Sequence, residues 1–324
     1  MNLTKLLLSY LYVDDINHHY LFHHFQNIHS KEYKLHEYNH KFNTFIENIN
    51  FIFKNKDETY DLEINQFTDM TQDEFKNYYN MGEKNKLFNQ KNLLISNCKD
   101  YNYKEKIVPD MIDWRDIAVT PVKNQGQCGS CWSFSSTGAL EGAWALDGNK
   151  LVSLSEQELI DCSKRYGDFG CNGGLMDNAF EYVIDNGLTS EKNYQYQAIS
   201  GKCQSNKYGK VIEIRYCFDV PSNNQLALKE VVSNQPVSVA IQADTKIFQF
   251  YSGGVITGDE CGTNLDHGVL VVGYGVEDDI PYWLVKNSWG EDWGDEGYVK
   301  IGRSDNTTDP GVCGIAMQPS FPVV

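Results

Sequence analysis

The hydrophobic rhythm of the chain changes near residue 107. From about Tyr20 to Lys56, Tyr33, Phe42, Phe45, Ile49, Ile52 and Phe53 recur at helical spacing among Lys, Glu, Asn and His, without Pro or Gly. That period predicts long amphipathic helices. A short extended stretch follows at Tyr60–Phe67, and Thr71 with Glu74 three residues on reads as a capping box opening a further helix. Residues 82–106 are polar, rich in Lys and Asn, and aperiodic, the pattern of an exposed connector and the natural place for a cut.

Beyond Pro109 the texture differs. Residues 131–146 read as a helix carrying Phe134, Leu140, Ala143, Trp144 and Leu146 on or near one face, stopped by Gly148. Ser155, with Glu158 three residues later, caps a short helix through Ile160. After residue 210 the signals turn to strands at 211–220, 236–243, 267–275, 280–287 and 297–302, each bounded by Gly, Pro or Asp. A helical half therefore precedes a strand-rich half.

Composition narrows the function classes. The 324 residues, 41% hydrophobic, suffice for one large core or two modest ones. A formal charge of −16 and a pI near 4.9 argue against nucleic acid or an anionic membrane as partner, because such surfaces repel an acidic protein. No apolar run approaches the roughly 18 residues of a membrane-spanning helix. Lys5 followed by Leu6–Val13 has the outline of a short signal peptide without a small-x-small cleavage site, and reads equally as a first apolar helix. Seven of the eight histidines fall within the first forty residues, leaving His267 alone downstream, whereas eight of the nine cysteines lie beyond residue 120. The histidine cluster suggests a pH response of the N-terminal segment, with compositional drift as the plainer account.

The chemistry gathers at three places. In Gln125-Gly126-Gln127-Cys128-Gly129-Ser130-Cys131-Trp132, Cys131 falls at the first turn of the expected helix, where unpaired N–H groups and the positive dipole end favour a thiolate. Cys-x-x-Cys alone is also half a zinc site or a redox pair; zinc needs two further ligands, and the redox motif sits in a thioredoxin-like context that the surrounding pattern lacks. A nucleophilic cysteine needs an imidazole, and His267, in Leu265-Asp266-His267-Gly268-Val269, is the candidate general base. Asn287, in Lys286-Asn287-Ser288-Trp289-Gly290, ends an apolar strand; its amide oxygen suits the imidazole N–H, with the indole of Trp289 as a shield from water.

These three motifs, the last continuing to Trp293-Gly294 and Gly297-Tyr298, resemble the papain and cathepsin L family across essentially all of 107–324, including the separation of Cys from His and Asn. The resemblance implies an α+β, papain-like two-lobed fold, with a helical lobe and an antiparallel barrel-like lobe. It implies a cysteine endopeptidase that forms an acyl-thioester on Cys131 and needs neither cofactor nor metal, with Gln125 and the Cys131 N–H as oxyanion hole. Disulfides Cys128–Cys171, Cys162–Cys203 and Cys261–Cys313 are implied, leaving Cys98 and Cys217 over, the latter as a buried packing residue. Gly173 and Gly174 would pair with an extended substrate beside Asp266 and Trp289. Leu175, Met176, Ala240 and Leu265 would line the main pocket, with Gln318 at its far end; without the resemblance these apolar residues are ordinary core.

The N-terminal part resembles the helical inhibitory propeptide of the same branch, with Glu37, Lys41, Phe45, Asn48 and Ile52 on one helix face and then Asn65-Gln66-Phe67-Thr68-Asp69. Lys41 stands where arginine is usual and Glu63 where glycine is. The implied layout is a segment 1–106, folded over about 18–80, ahead of a peptidase domain 107–324. Implied partners are protein and peptide substrates, the chain's own prosegment as intramolecular inhibitor, and cystatin-like inhibitors, with the protein a monomer in an acidic vacuole-like compartment or exported. A catalytically silent homologue acting as an interaction protein is the rival, opposed by the intact triad.

Overall fold

The computed structural model describes residues 15–55, 57–79, 98–258 and 260–324. The Leu6–Val13 stretch and most of the expected connector, 82–97, lie outside them. The helical periodicity of the N-terminal part resolves into two helices, Asp15–Ile28 and Leu35–Lys54. Their apolar faces meet in a small core of Leu21, Phe22, Phe25, Phe45 and Ile49. Both capping-box bonds form, Thr71 Oγ1 accepting the Glu74 N–H at 3.1 Å and Glu74 Oε2 the Thr71 N–H at 2.9 Å, so the helix Gln72–Tyr78 starts where expected.

The strands are β1 (Tyr60–Leu62), β2 (Lys99–Asp100), β3 (Ile112–Asp113), β4 (Tyr216–Asp219), β5 (Val237–Ile241), β6 (Tyr251–Ile256), β7 (His267–Glu277), β8 (Ile280–Lys286), β9 (Tyr298–Gly302) and β10 (Ser320–Val323). They form one ten-stranded sheet in the order β1-β6-β9-β8-β7-β5-β10-β4-β2, with β3 beside β7. Expected strands at 236–243, 267–275, 280–287 and 297–302 are all present, whereas 211–220 shortens to β4. Helices Met176–Asn186 and Gln225–Val232, and strands β6 and β10, were not expected.

Two larger cores define two lobes. One is built by the strands around Val239, Val271, Trp283 and Val285, the other by helices around Trp132, Leu140, Leu159 and Phe180. The helix Cys131–Leu146, found over the range its pattern predicts, packs across the junction onto β7. Gly138 permits that approach, since a Cβ there would come within 2.6 Å of Leu270 Cδ2.

The N-terminal part is bound to the strand lobe. Strand β1 pairs antiparallel with β6, and Asn65 Nδ2 donates to the Gln249 carbonyl at 2.7 Å while Gln249 Nε2 donates to the Phe67 carbonyl at 3.0 Å. Phe67, Phe75 and Tyr79 belong to the strand-lobe core itself. Asn48, buried on the predicted helix face, donates to the Thr68 and Met70 carbonyls and accepts from Lys246 Nζ across the domain boundary. Lys41 still makes an ion pair, with Glu74 at 2.9 Å. Glu63 is not among the residues of positive φ, so its backbone has no need of glycine.

The three implied disulfides are present, and Cys131 is free and buried. Cys98 and Cys217 are not left over: they are joined to each other, because β2 lies alongside β4 and brings their Cα atoms to 4.7 Å.

Candidate active site

Cys131 is the first residue of its helix, following Ser130 in a non-helical conformation. His267 opens β7 directly opposite Ile241 of β5, and Asn287 follows the last residue of β8. The β7–β8 pairing, with Leu270 opposite Lys286, therefore carries the imidazole and the amide side by side. His267 Nε2 lies 2.8 Å from Asn287 Oδ1. The same oxygen accepts the Ser288 N–H at 2.8 Å, so it is the oxygen that faces the ring, Nε2 carries the proton, and Nδ1 keeps its lone pair. Nδ1 is buried without a hydrogen-bond partner. The backbone of Gly268, next to His267, hydrogen-bonds the Cys131 sulfur, which brings the thiol to the imidazole loop.

The lobes are stitched together beneath this group. Gln125 N–H donates to the Ser288 carbonyl at 2.8 Å, the Gly290 N–H to the Lys123 carbonyl at 3.1 Å, and Asn124 bridges to Trp289. Gln125, fully buried, spends one amide N–H on the Cys128 carbonyl at 2.9 Å and accepts from Ser288 Oγ at 2.7 Å, which leaves its second N–H for another acceptor. Lys123 meets Glu141 and Glu156 below Asn287 and Ser288, around a cavity of about 20 Å³, large enough for one water. Sequence reading missed this network; its members lie up to 33 positions apart and carry no shared motif.

Trp289 stacks on the imidazole with ring centroids 4.7 Å apart. The prosegment reaches the same indole: Tyr79 stacks on it at 4.6 Å and Phe75 meets it edge-on at 5.3 Å. Leu175, Met176, Ala240 and Leu265 share the helical-lobe core, all nearly inaccessible, and Gln318 is half-buried after Met317, which packs against that core. Gly174 is required by close packing, since a Cβ would meet the Trp132 ring at 2.6 Å; Gly173 has φ of +110°. Asp266 accepts the Ala243 N–H at 2.8 Å beside the histidine.

In this closed form burial dominates the electrostatics. It pushes the Cys131 thiol up to about 11, outweighing the backbone N–H groups at the helix start that were expected to favour a thiolate. It also lowers His267 to about 4, against the hydrogen bond that its Nε2–H donates to Asn287. Both shifts favour the uncharged pair, with the proton on sulfur rather than on the ring. The sign for stability follows: an unfolded imidazole takes its proton as pH drops through 6.5, the folded one only near 4, so between those values the unfolded chain holds more protons and acid weakens the closed form. The Tm of the proenzyme is expected to fall more steeply over this interval than that of a His267→Gln proenzyme. Parallel curves for the two proteins would refute this assignment.

What the fold and the site define together is a thiol protease folded in its latent form. Residues 108–323 match the family described as papain family cysteine protease, and residues 22–75 match the cathepsin propeptide inhibitor domain (I29). The chain belongs to the papain family. It is 47% identical over 296 residues to the germination-specific cysteine protease 1 of Arabidopsis thaliana, covering 87% of this chain and 77% of that protein. The proform of the ragweed pollen cysteine protease Amb a 11 superposes with a TM-score of 0.87 at 38% identity, covering 96% of this chain and 95% of that one. Digestive procathepsin L 3 of Tenebrio molitor larval midgut superposes at 0.82 with 40% identity, covering 95% and 99%. The protein is thus a cysteine protease made as a proenzyme, with its own propeptide as intramolecular inhibitor. Cys128 is bound to Cys171, which removes the zinc or redox pairing of Cys128 with Cys131.

Proposed function

We propose that this proenzyme matures to an endopeptidase that cleaves after an acyl-thioester forms on Cys131, with preference for an apolar residue second from the scissile bond on the acyl side. The observation that carries the reading is the buried, unpartnered Nδ1 of His267, held by the 2.8 Å contact of Nε2 with Asn287, while the backbone of the next residue, Gly268, hydrogen-bonds the free Cys131 thiol. Departure of the propeptide rehydrates the pair, and Nδ1 takes the Cys131 proton. Sulfur then attacks the scissile carbonyl carbon, and the charge that develops on its oxygen is met by the spare Gln125 N–H and the Cys131 N–H. His267 passes its proton to the leaving amine, then draws one from the water that attacks the thioester, and the acid product leaves. Gly173 and Gly174 suit backbone pairing with an extended substrate beside Asp266 and Trp289.

The apolar preference is supported by the shared environment of Leu175, Met176, Ala240 and Leu265, and a neutral Gln318 at the far end of the pocket would offer no countercharge to a bound Arg. Four disulfides suit an oxidising compartment, either a vacuole-like one or the exterior. Among the described residues no helix is long and apolar enough to cross a membrane. Cystatin-like inhibitors and a monomeric state complete the reading. A peptide series differing only at the second position is the test, with an epoxide inhibitor mapping the nucleophile. Leu, Phe and Val are expected to exceed Arg by at least about tenfold in kcat/KM, the discrimination an apolar pocket achieves even for a single methylene. Arg equal to Leu would exclude the pocket assignment, and label on any residue but Cys131 would exclude the nucleophile.

A further inference from the structure

Residues 98–106 precede the papain-family match, which begins at 108, yet they are built into the enzyme body. Strand β2 runs parallel to β4, Lys99 opposite Phe218 and Asp100 opposite Asp219, and the Tyr101 N–H donates to the Asp219 carbonyl at 2.8 Å. The Tyr101 ring meets Phe321 edge-on at 5.4 Å, and the Lys99 ammonium sits 3.5 Å over the Tyr216 ring. Tyr101 Oη and Lys106 Nζ donate to the two carboxylate oxygens of Glu230, whose side chain is only 4% exposed. Among the described residues these are its side-chain partners, so a buried acid of the peptidase domain is satisfied from upstream of the domain's expected start. Independently of that seat, the Cys98–Cys217 bond ties the segment to β4 covalently.

The topology constrains maturation. Hydrolysis of a peptide bond downstream of Cys98 adds water across that bond and creates a new carboxylate and amine, but leaves the S–S bond standing. The helical prosegment would remain part of the molecule at an effective concentration on the order of millimolar and continue to occlude the site. Hydrolysis upstream of Cys98 sets it free. The 99–101 backbone is moreover paired, and a protease takes its substrate as unpaired extended chain, so cutting there requires local unfolding first.

We propose that the Cys98–Cys217 disulfide fixes the maturation boundary: the productive cut lies N-terminal to Cys98, and residues 98–106 stay in the active enzyme as a stapled leading strand seated on Glu230. This rests on the proenzyme reading above. Self-processed protein treated with an epoxide probe is read by N-terminal sequencing and intact mass, with and without reduction. A single chain whose first residue precedes Cys98, with a recovered Cys98–Cys217 peptide pair, is the expected result. A labelled product starting beyond residue 98, either free of the prosegment or shedding it only on reduction, overturns the boundary and leaves the catalytic reading intact. An unlabelled product with the expected N-terminus supports the boundary and sinks the catalytic reading instead. In a Cys98→Ser/Cys217→Ser double variant the segment frays and the first residue moves downstream of 98; an unmoved N-terminus overturns the disulfide's part in setting it. The wild-type readout needs no variant, so it decides the boundary even where the double variant fails to fold.

Discussion

In the processed enzyme, His267→Ala lowers kcat/KM by on the order of 10⁴-fold or more, with the loss concentrated in kcat rather than KM. Cys131 is the free cysteine of the structure, and no other histidine lies beyond residue 40. Without the imidazole no group at the site takes the proton from sulfur, so the nucleophilic thiolate does not form in step with attack on the carbonyl. The substitution removes a ring stacked on Trp289 but spares the β7 backbone, so folding and propeptide binding are expected to persist. Steady-state kinetics on protein matured by an added protease measures the effect, with the pH profile as a second readout. Activity within tenfold of wild type would dismantle the proposed mechanism.

Phe75→Ala in the full proenzyme has the second largest effect, on latency rather than chemistry. Phe75 is fully buried, touching Phe67 and Tyr79 within the prosegment and Trp289 of the enzyme. Emptying such a site costs about 3–5 kcal/mol, and the packing it removes belongs to the interface as much as to the prosegment fold. The proenzyme is expected to leak peptidase activity at neutral pH on the order of 10²-fold or more above wild type and to process itself earlier. An unchanged leak rate would show that inhibition depends instead on the helix pair Asp15–Ile28 and Leu35–Lys54.

The parts of this structure legible in the sequence are those whose cause is local. Thr71 with Glu74, and Ser155 with Glu158, announce their helices because a cap is a contact between residues three apart. The start of the Cys131 helix and the strand ends at His267 and Asn287 were legible because chemistry and periodicity coincide there. The helix Gln225–Val232 was overlooked although Asn224 caps it by accepting the Ala227 N–H, since the strand signals around it dominated. Met176–Asn186 carries no such signal, because its N-cap position is Leu175, which makes no side-chain cap. The Cys98–Cys217 pairing spans 119 positions, and two leftover cysteines carry no spacing rule that would join them. The neutral state of the thiol and imidazole was equally hidden: a helix start favours thiolate in isolation, and only the assembled burial reverses the balance.

Strand β1 belongs to the propeptide, and its departure strips one flank of β6 of its ladder partner. The mature protease therefore carries a naked backbone border that its precursor keeps covered, the kind of surface through which sheets of separate molecules coalesce. Two adjacent glycines, Gly253 and Gly254, are its ladder positions opposite Asp61 and Tyr60, and a Cβ on Gly254 would come within 2.4 Å of the Thr59 carbonyl oxygen. The bare glycine backbone that lets the propeptide strand approach is therefore the stretch of border that its departure leaves open.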